Sequence, residues 1–233
     1  VCVRGIALNV TVYALATADG TERWSTPLDI PIKSAPAIAG GQLCVGGLTG
    51  TMTALSTSDG TEQWSVETDG PVSGSPAVTD DAVYAGTANG TVYALSTADG
   101  TEQWTNDAVG RVQSSPAVTE TQVYVGDDDS ILRALAVDDG SERWRVELDG
   151  SITASPAVAG GSLYAATEAG TVSAITGESA DPDSSQSQTA EQPTEPTTGE
   201  AASDSANGPG LGIPSAVAGA VGVGSWLAGR ARE

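Results

Sequence analysis

One eleven-residue segment recurs four times at an interval that never varies. ALATADGTERW, ALSTSDGTEQW, ALSTADGTEQW and ALAVDDGSERW begin at Ala14, Ala54, Ala94 and Ala134, 40 residues apart each time. A spacing held this strictly means that every unit meets its neighbour in the same way, which is the signature of solenoids, propellers and other stacked arrays.

Two further pieces recur between these segments. A Pro-Ala piece comes first, SAPAIAG, GSPAVTD, SSPAVTE and ASPAVAG around Pro36, Pro76, Pro116 and Pro156. A Tyr or Cys piece follows, QLCVGG, AVYAGT, QVYVGD and SLYAAT, beginning at Gln42, Ala82, Gln122 and Ser162. Each unit therefore offers four short β-rich runs separated by Gly, Asp, Asn or Pro. Four strands in 40 residues predict a propeller blade.

The pattern within a run agrees with this. In TVYALS, residues 91–96, Tyr93 and Leu95 fall on one face and Val92 and Ala94 on the other. Both faces are apolar, so both need cover, and neighbouring blades supply it. The Asp-Gly pairs ending at Gly20, Gly60, Gly100 and Gly140 predict hairpins joining the third strand of a blade to its outer fourth strand.

Counted from the first Ala, each segment has Gly at position seven and Trp at position eleven: Ala14, Gly20 and Trp24; Ala54, Gly60 and Trp64; Ala94, Gly100 and Trp104; Ala134, Gly140 and Trp144. This spacing resembles the tryptophan-docking motif of the PQQ-type, quinoprotein-like β-propeller family. The resemblance implies that each indole packs between the Ala of its own segment and the Gly of the next blade. A large flat ring needs a small residue and bare backbone to lie against. WD-type propellers are disfavoured, because no Trp is followed by Asp and the chain has no His.

The expected fold is all-β, a PQQ-like propeller of four-stranded blades over residues 1–176. The first unit starts in mid-blade, and the last lacks both Gly and Trp after Ala174. Three full blades flanked by two incomplete ones make a partial ring of about four to five blades, whereas PQQ-type rings usually close with seven or eight. Three explanations are open: truncation at the N-terminus, pairing with another arc by self-association, or an irregular five-bladed ring.

Beyond the repeats the composition changes. Residues 177–210 are rich in Ser, Thr, Gln, Pro and Glu, with seven acidic residues and no basic one, and read as a disordered linker. Residues 211–229 carry no charge and predict an apolar helix of about 28 Å, followed by a basic cytoplasmic end at 230–233. The order of acidic stalk, Pro209-Gly210-Leu211, apolar segment and arginines resembles the PGF-type sorting signals of archaeal surface proteins, with Leu211 where that family has Phe. The expectation is membrane attachment through 211–229 and a location on the extracellular face of the cell membrane.

Thirty acidic residues oppose nine basic ones, a formal net charge of −21, and Lys33 is the only lysine. Such a surface repels nucleic acid, and it is tolerated best at molar salt, where the screening length falls to roughly 3 Å. A halophilic archaeon is the expected source. The absence of His removes the commonest general base and metal ligand. Cys2 and Cys44 occupy matching places in successive units and read as small strand residues, a disulfide between them being the alternative.

Family resemblance raises one enzymatic alternative, a fragment of a dehydrogenase using pyrroloquinoline quinone and calcium. It would require vicinal cysteines, and the chain has no adjacent pair. No cofactor and no catalytic residue are therefore expected. The densest carboxylate run, Asp127, Asp128 and Asp129, reads as a weak candidate for a hard cation or as a solvated loop. Asn9 and Asn89 begin glycosylation sequons, and Asn89 also suits a turn. The expected function is a noncatalytic, membrane-anchored surface propeller that binds a protein partner or supports assembly. In build it is similar to the outer-membrane assembly lipoprotein of the same repeat family.

Overall fold

The computed structural model describes residues 2–4 as backbone and residues 10–107 and 110–176 in full. The segments 177–210, 211–229 and 230–233, and the sequon Asn9, lie outside the described residues. Among the described residues no helix is long and apolar enough to cross a membrane.

Every strand pairing is antiparallel, and the sheets follow one another in chain order. The first blade holds β1 (Cys2–Arg4), β2 (Val10–Leu15) and β3 (Glu22–Leu28). The second holds β4 (Ala37–Ala39), β5 (Gln42–Gly47), β6 (Thr51–Ser56) and β7 (Glu62–Glu67). The third holds β8 (Ala77–Val78), β9 (Ala82–Gly86), β10 (Val92–Ser96) and β11 (Glu102–Asn106). The fourth holds β12 (Ala117–Val118), β13 (Gln122–Gly126), β14 (Ile131–Ala136) and β15 (Glu142–Glu147). The last holds β16 (Ala157–Ala159), β17 (Ser162–Ala166) and β18 (Val172–Thr176). Among the described residues, three four-stranded blades thus stand between two three-stranded ones.

Both faces of the central strands are buried, and each face belongs to a different cluster. Tyr93 and Leu95 of β10 pack with Met52 and Trp64 of the preceding blade and with Val72 of the connection between the two. Val92 and Ala94 pack with Trp104 of their own blade and with Val123 and Val125 of the next. The core is therefore a series of apolar layers, one between each pair of blades.

Between the third and fourth strands the Asp-Gly turn is longer than a two-residue hairpin. Ser56 N–H donates to the carbonyl of Thr61 at 2.8 Å, and Gly60 N–H donates to the carbonyl of Ser56 at 2.9 Å. Asp59 closes the turn by accepting from the backbone N–H of Thr61 at 3.1 Å and from its hydroxyl at 2.8 Å. Gly60 has φ +75°, which suits glycine. The ladder shifts register just after the first Ala of each segment, between Ala54 and Leu55 in the second blade. That bulge swings the glycine loop towards the preceding blade.

The segments leading into the first strands of neighbouring blades are tied directly. Ala35 N–H donates to Ser75 Oγ at 2.9 Å, Ser75 N–H to Ser115 Oγ at 2.9 Å, and Ser115 N–H to Ser155 Oγ at 3.1 Å. These bonds span one repeat of 40 residues, so the entry to each first strand is held by the serine of the blade that follows.

Candidate interblade docking site

The register of each third-to-fourth strand hairpin sets the small residue opposite the large one. Ala14 pairs with Trp24, Ala54 with Trp64, Ala94 with Trp104 and Ala134 with Trp144. The other side of the ring meets the following blade. A Cβ built on Gly60 would lie 2.5 Å from Trp24 Cε3, and one built on Gly100 would lie 2.7 Å from Trp64 Cε3. Gly140 stands against Trp104 in the same way. Only a residue without a side chain fits this approach.

Each dock is closed by hydrogen bonds. The indole N–H of Trp24 donates to the carbonyl of Thr57 at 2.9 Å, that of Trp64 to Thr97 at 2.9 Å, and that of Trp104 to Val137 at 2.7 Å. Thr26 donates to the carbonyl of Gly60 at 2.7 Å, and Asn106 donates to that of Gly140 at 3.0 Å. The buried polar edge of the ring is thus satisfied by the same loop that covers its face.

The two ends of the series differ from its middle. Trp144 is only half-buried, and the residue one repeat beyond Gly140 is Ala180, outside the described residues. At the other end, nothing among the described residues lies within 4 Å of a Cβ placed on Gly20. In the last blade the outward sheet face is open: Val172 is 66% exposed and Tyr164 41%, where Val92 and Tyr84 in the third blade are at 0% and 1%. Leu15 in the first blade is also exposed.

A second set of docks escaped the sequence reading. Val72, Val112 and Ile152, from the connections between blades, seat on the bare Cα atoms of Gly46, Gly86 and Gly126, where any added Cβ would strike them. The signal was present as a β-branched residue four places before each Pro of the Pro-Ala piece and a Gly ten places after Pro36, Pro76 and Pro116, each Gly receiving the β-branched residue of the next unit. A charged group is also buried in the fourth blade. Arg133 Nη1 donates to Glu142 Oε2 at 2.6 Å, and its Nε, which has no hydrogen-bond acceptor, lies 3.8 Å from Asp127 Oδ2.

The three consecutive aspartates do not converge. Asp127 is buried and accepts from the backbone N–H groups of Gly110 at 3.0 Å and Ile131 at 2.9 Å. Asp128 accepts from Gln113 Nε2 at 3.0 and 3.1 Å, and Asp129 packs against Gly110. Among the described residues, no three His, Cys, Asp or Glu side chains form a group able to hold a metal ion. Asn89 is exposed, but its Nδ2, the atom a glycan would occupy, donates to the carbonyl of Asp69 at 2.5 Å. Cys44 is a buried free thiol, and burial pushes its pKa up to about 12.

The model of one repeat family, described as outer membrane protein assembly factor BamB, matches residues 7–87 and 89–209. The chain belongs to this PQQ-repeat family. Among solved structures, BamB from Moraxella catarrhalis is similar at 24% identity with a TM-score of 0.65, over 74% of this chain and 53% of BamB. The computationally designed protein Ika8 is similar at 17% identity and TM-score 0.63, over 75% of this chain and 57% of its own. Quinohemoprotein alcohol dehydrogenase from Comamonas testosteroni follows at 17% identity and TM-score 0.53, over 59% of this chain and 29% of the enzyme. These likenesses are of fold, and the BamB-like chain spans about half the length of BamB. No curated protein matches it.

Proposed function

We propose that this BamB-like chain is a noncatalytic scaffold of the cell surface, anchored through residues 211–229, which binds a protein partner or supports assembly. Its open end face carries the reading: Val172 and Tyr164 present apolar surface that the same positions bury inside the stack. Apolar surface grouped on a sheet face marks an interaction site. The family description, an assembly factor, is of the same kind. The formal charge of −21 accords with a salt-rich exterior.

A photo-crosslinking residue at Val172 tests the proposal in intact cells. The expected result is a discrete crosslinked protein, either another polypeptide or a second copy of this chain, that is lost with Tyr164→Asp. Equal labelling from an exposed control position such as Ser25 would sink the reading. An enzymatic role would announce itself differently, as alcohol- or sugar-dependent dye reduction after addition of the quinone and calcium.

A further inference from the structure

Between the third and fourth blades lies a recess of about 700 Å³. It is lined by the β8–β9, β12–β13 and β14–β15 loops, the first of them held by Thr97, which donates its N–H to the carbonyl of Asp81 at 3.1 Å and its hydroxyl to that of Asp80 at 2.7 Å. Its rim carries Asp80, Asp81, Glu120 and Asp138. In the equivalent groove one repeat earlier these positions are Gly40, Gly41, Asp80 and Ala98, one carboxylate in place of four. Among the described residues none of the four rim carboxylates forms a salt bridge.

A second departure from the repeat makes the space. Gln122 of the fourth blade fills its position and accepts the hydroxyl of Tyr124 at 2.6 Å. In the third blade that glutamine is Ala82, and Tyr84, buried to 1% exposure, lines the recess with its hydroxyl near Thr79. Val118 and Val137 add apolar wall. The recess thus combines an acidic mouth with apolar sides, and the buried Tyr84 forms part of its wall.

We propose that this recess binds an alkylammonium group, its aliphatic stem against Val118 and Val137 and its charge among Asp80, Asp81, Glu120 and Asp138. A long stem with a charged head divides itself between apolar and polar surroundings in this way. A bare divalent ion fits less well, because it needs six or more oxygens at one point, and these carboxylates do not form such a group. The site is separate from the end faces on which the scaffold reading rests. Its ligand is either a free diamine or the side chain of a lysine in a partner.

The test is calorimetric titration of the full chain with 1,5-diaminopentane and, separately, with a short blocked lysine peptide, at low and at molar salt. Saturable binding that weakens with salt is expected from at least one of them, and the tighter one names the source. Ala82→Gln, which restores the glutamine of the second and fourth blades, abolishes it. Asp138→Ala, which restores the residue of the third blade, weakens it roughly fivefold. Asp19→Asn, on the first blade, leaves it unchanged. Near-ultraviolet dichroism of the docked tryptophans confirms that each variant is folded. Failure of both probes to bind, equal binding by Ala82→Gln and the native chain, or equal weakening by Asp19→Asn and Asp138→Ala would overturn the proposal.

Discussion

Gly100 of the third blade closes over Trp64 of the second, its Cα facing the ring so closely that an added methyl would lie 2.7 Å from Cε3 and 2.9 Å from Val66 Cγ2. Gly100→Ala therefore meets two penalties, a steric clash and a positive φ of +73°. The expected loss is about 2–4 kcal/mol. Gly20→Ala has the same φ with open space around it, so its loss is about 1 kcal/mol. Urea denaturation of the two variants side by side separates the dock from the turn.

The tryptophans are not equivalent in their surroundings. Trp104 is buried, donates to Val137 and lies 5.8 Å from Tyr84 between ring centroids, so Trp104→Ala costs roughly 3–5 kcal/mol. Trp144 is half-buried, and Trp144→Ala is expected to cost less than half as much. Comparable losses from equilibrium unfolding would contradict the ranking.

Hydrogen bonds from Thr101, through its hydroxyl and then its backbone N–H, hold the Asp99 carboxyl below its ordinary value of 3.8. A carboxyl lowered by folding stabilises the chain above the unfolded value, and that contribution is lost as pH falls through the folded value. Asp99→Asn should therefore be less stable than the native chain at neutral pH and indistinguishable from it once both are well below pH 3.8. Thermal melts of both across this range check the convergence, and a constant gap would refute it.

Because burial lifts the Cys44 thiol to about 12, it holds almost no thiolate at pH 8 in the folded chain. Iodoacetamide is expected to leave Cys44 unmodified under native conditions and to label it fully in denaturant. Peptide mass mapping reads the difference, and rapid native labelling would show that the second blade opens readily.

Identity at fixed intervals was the legible part. Ala54, Gly60 and Trp64 recur without change in their counterparts, and the two apolar faces of TVYALS already required two covering layers. The seat of Val72 on Gly46 was harder to see. Its partners sit in different pieces of the repeat, and Val alternates with Ile at the first of them. The aspartate run was hard to place for the opposite reason. Neighbours in a chain diverge when the backbone turns sharply, and Ser130, with φ 69°, follows immediately. Adjacency put three carboxylates together on paper, while the turn sent Asp127 inward to Gly110 and Asp128 towards Gln113.

Among the described residues each dock joins a tryptophan of one blade to the loop 33 to 36 residues ahead of it, so none of these docks depends on a distant part of the chain. Cohesion is therefore transmitted from neighbour to neighbour, as along a short column of stacked plates. Such a column frays from its free face inward. Amide exchange should run fastest along β17 and β18, where Val172 and Tyr164 are uncovered, and slowest in β9 and β10, which have a plate on either side.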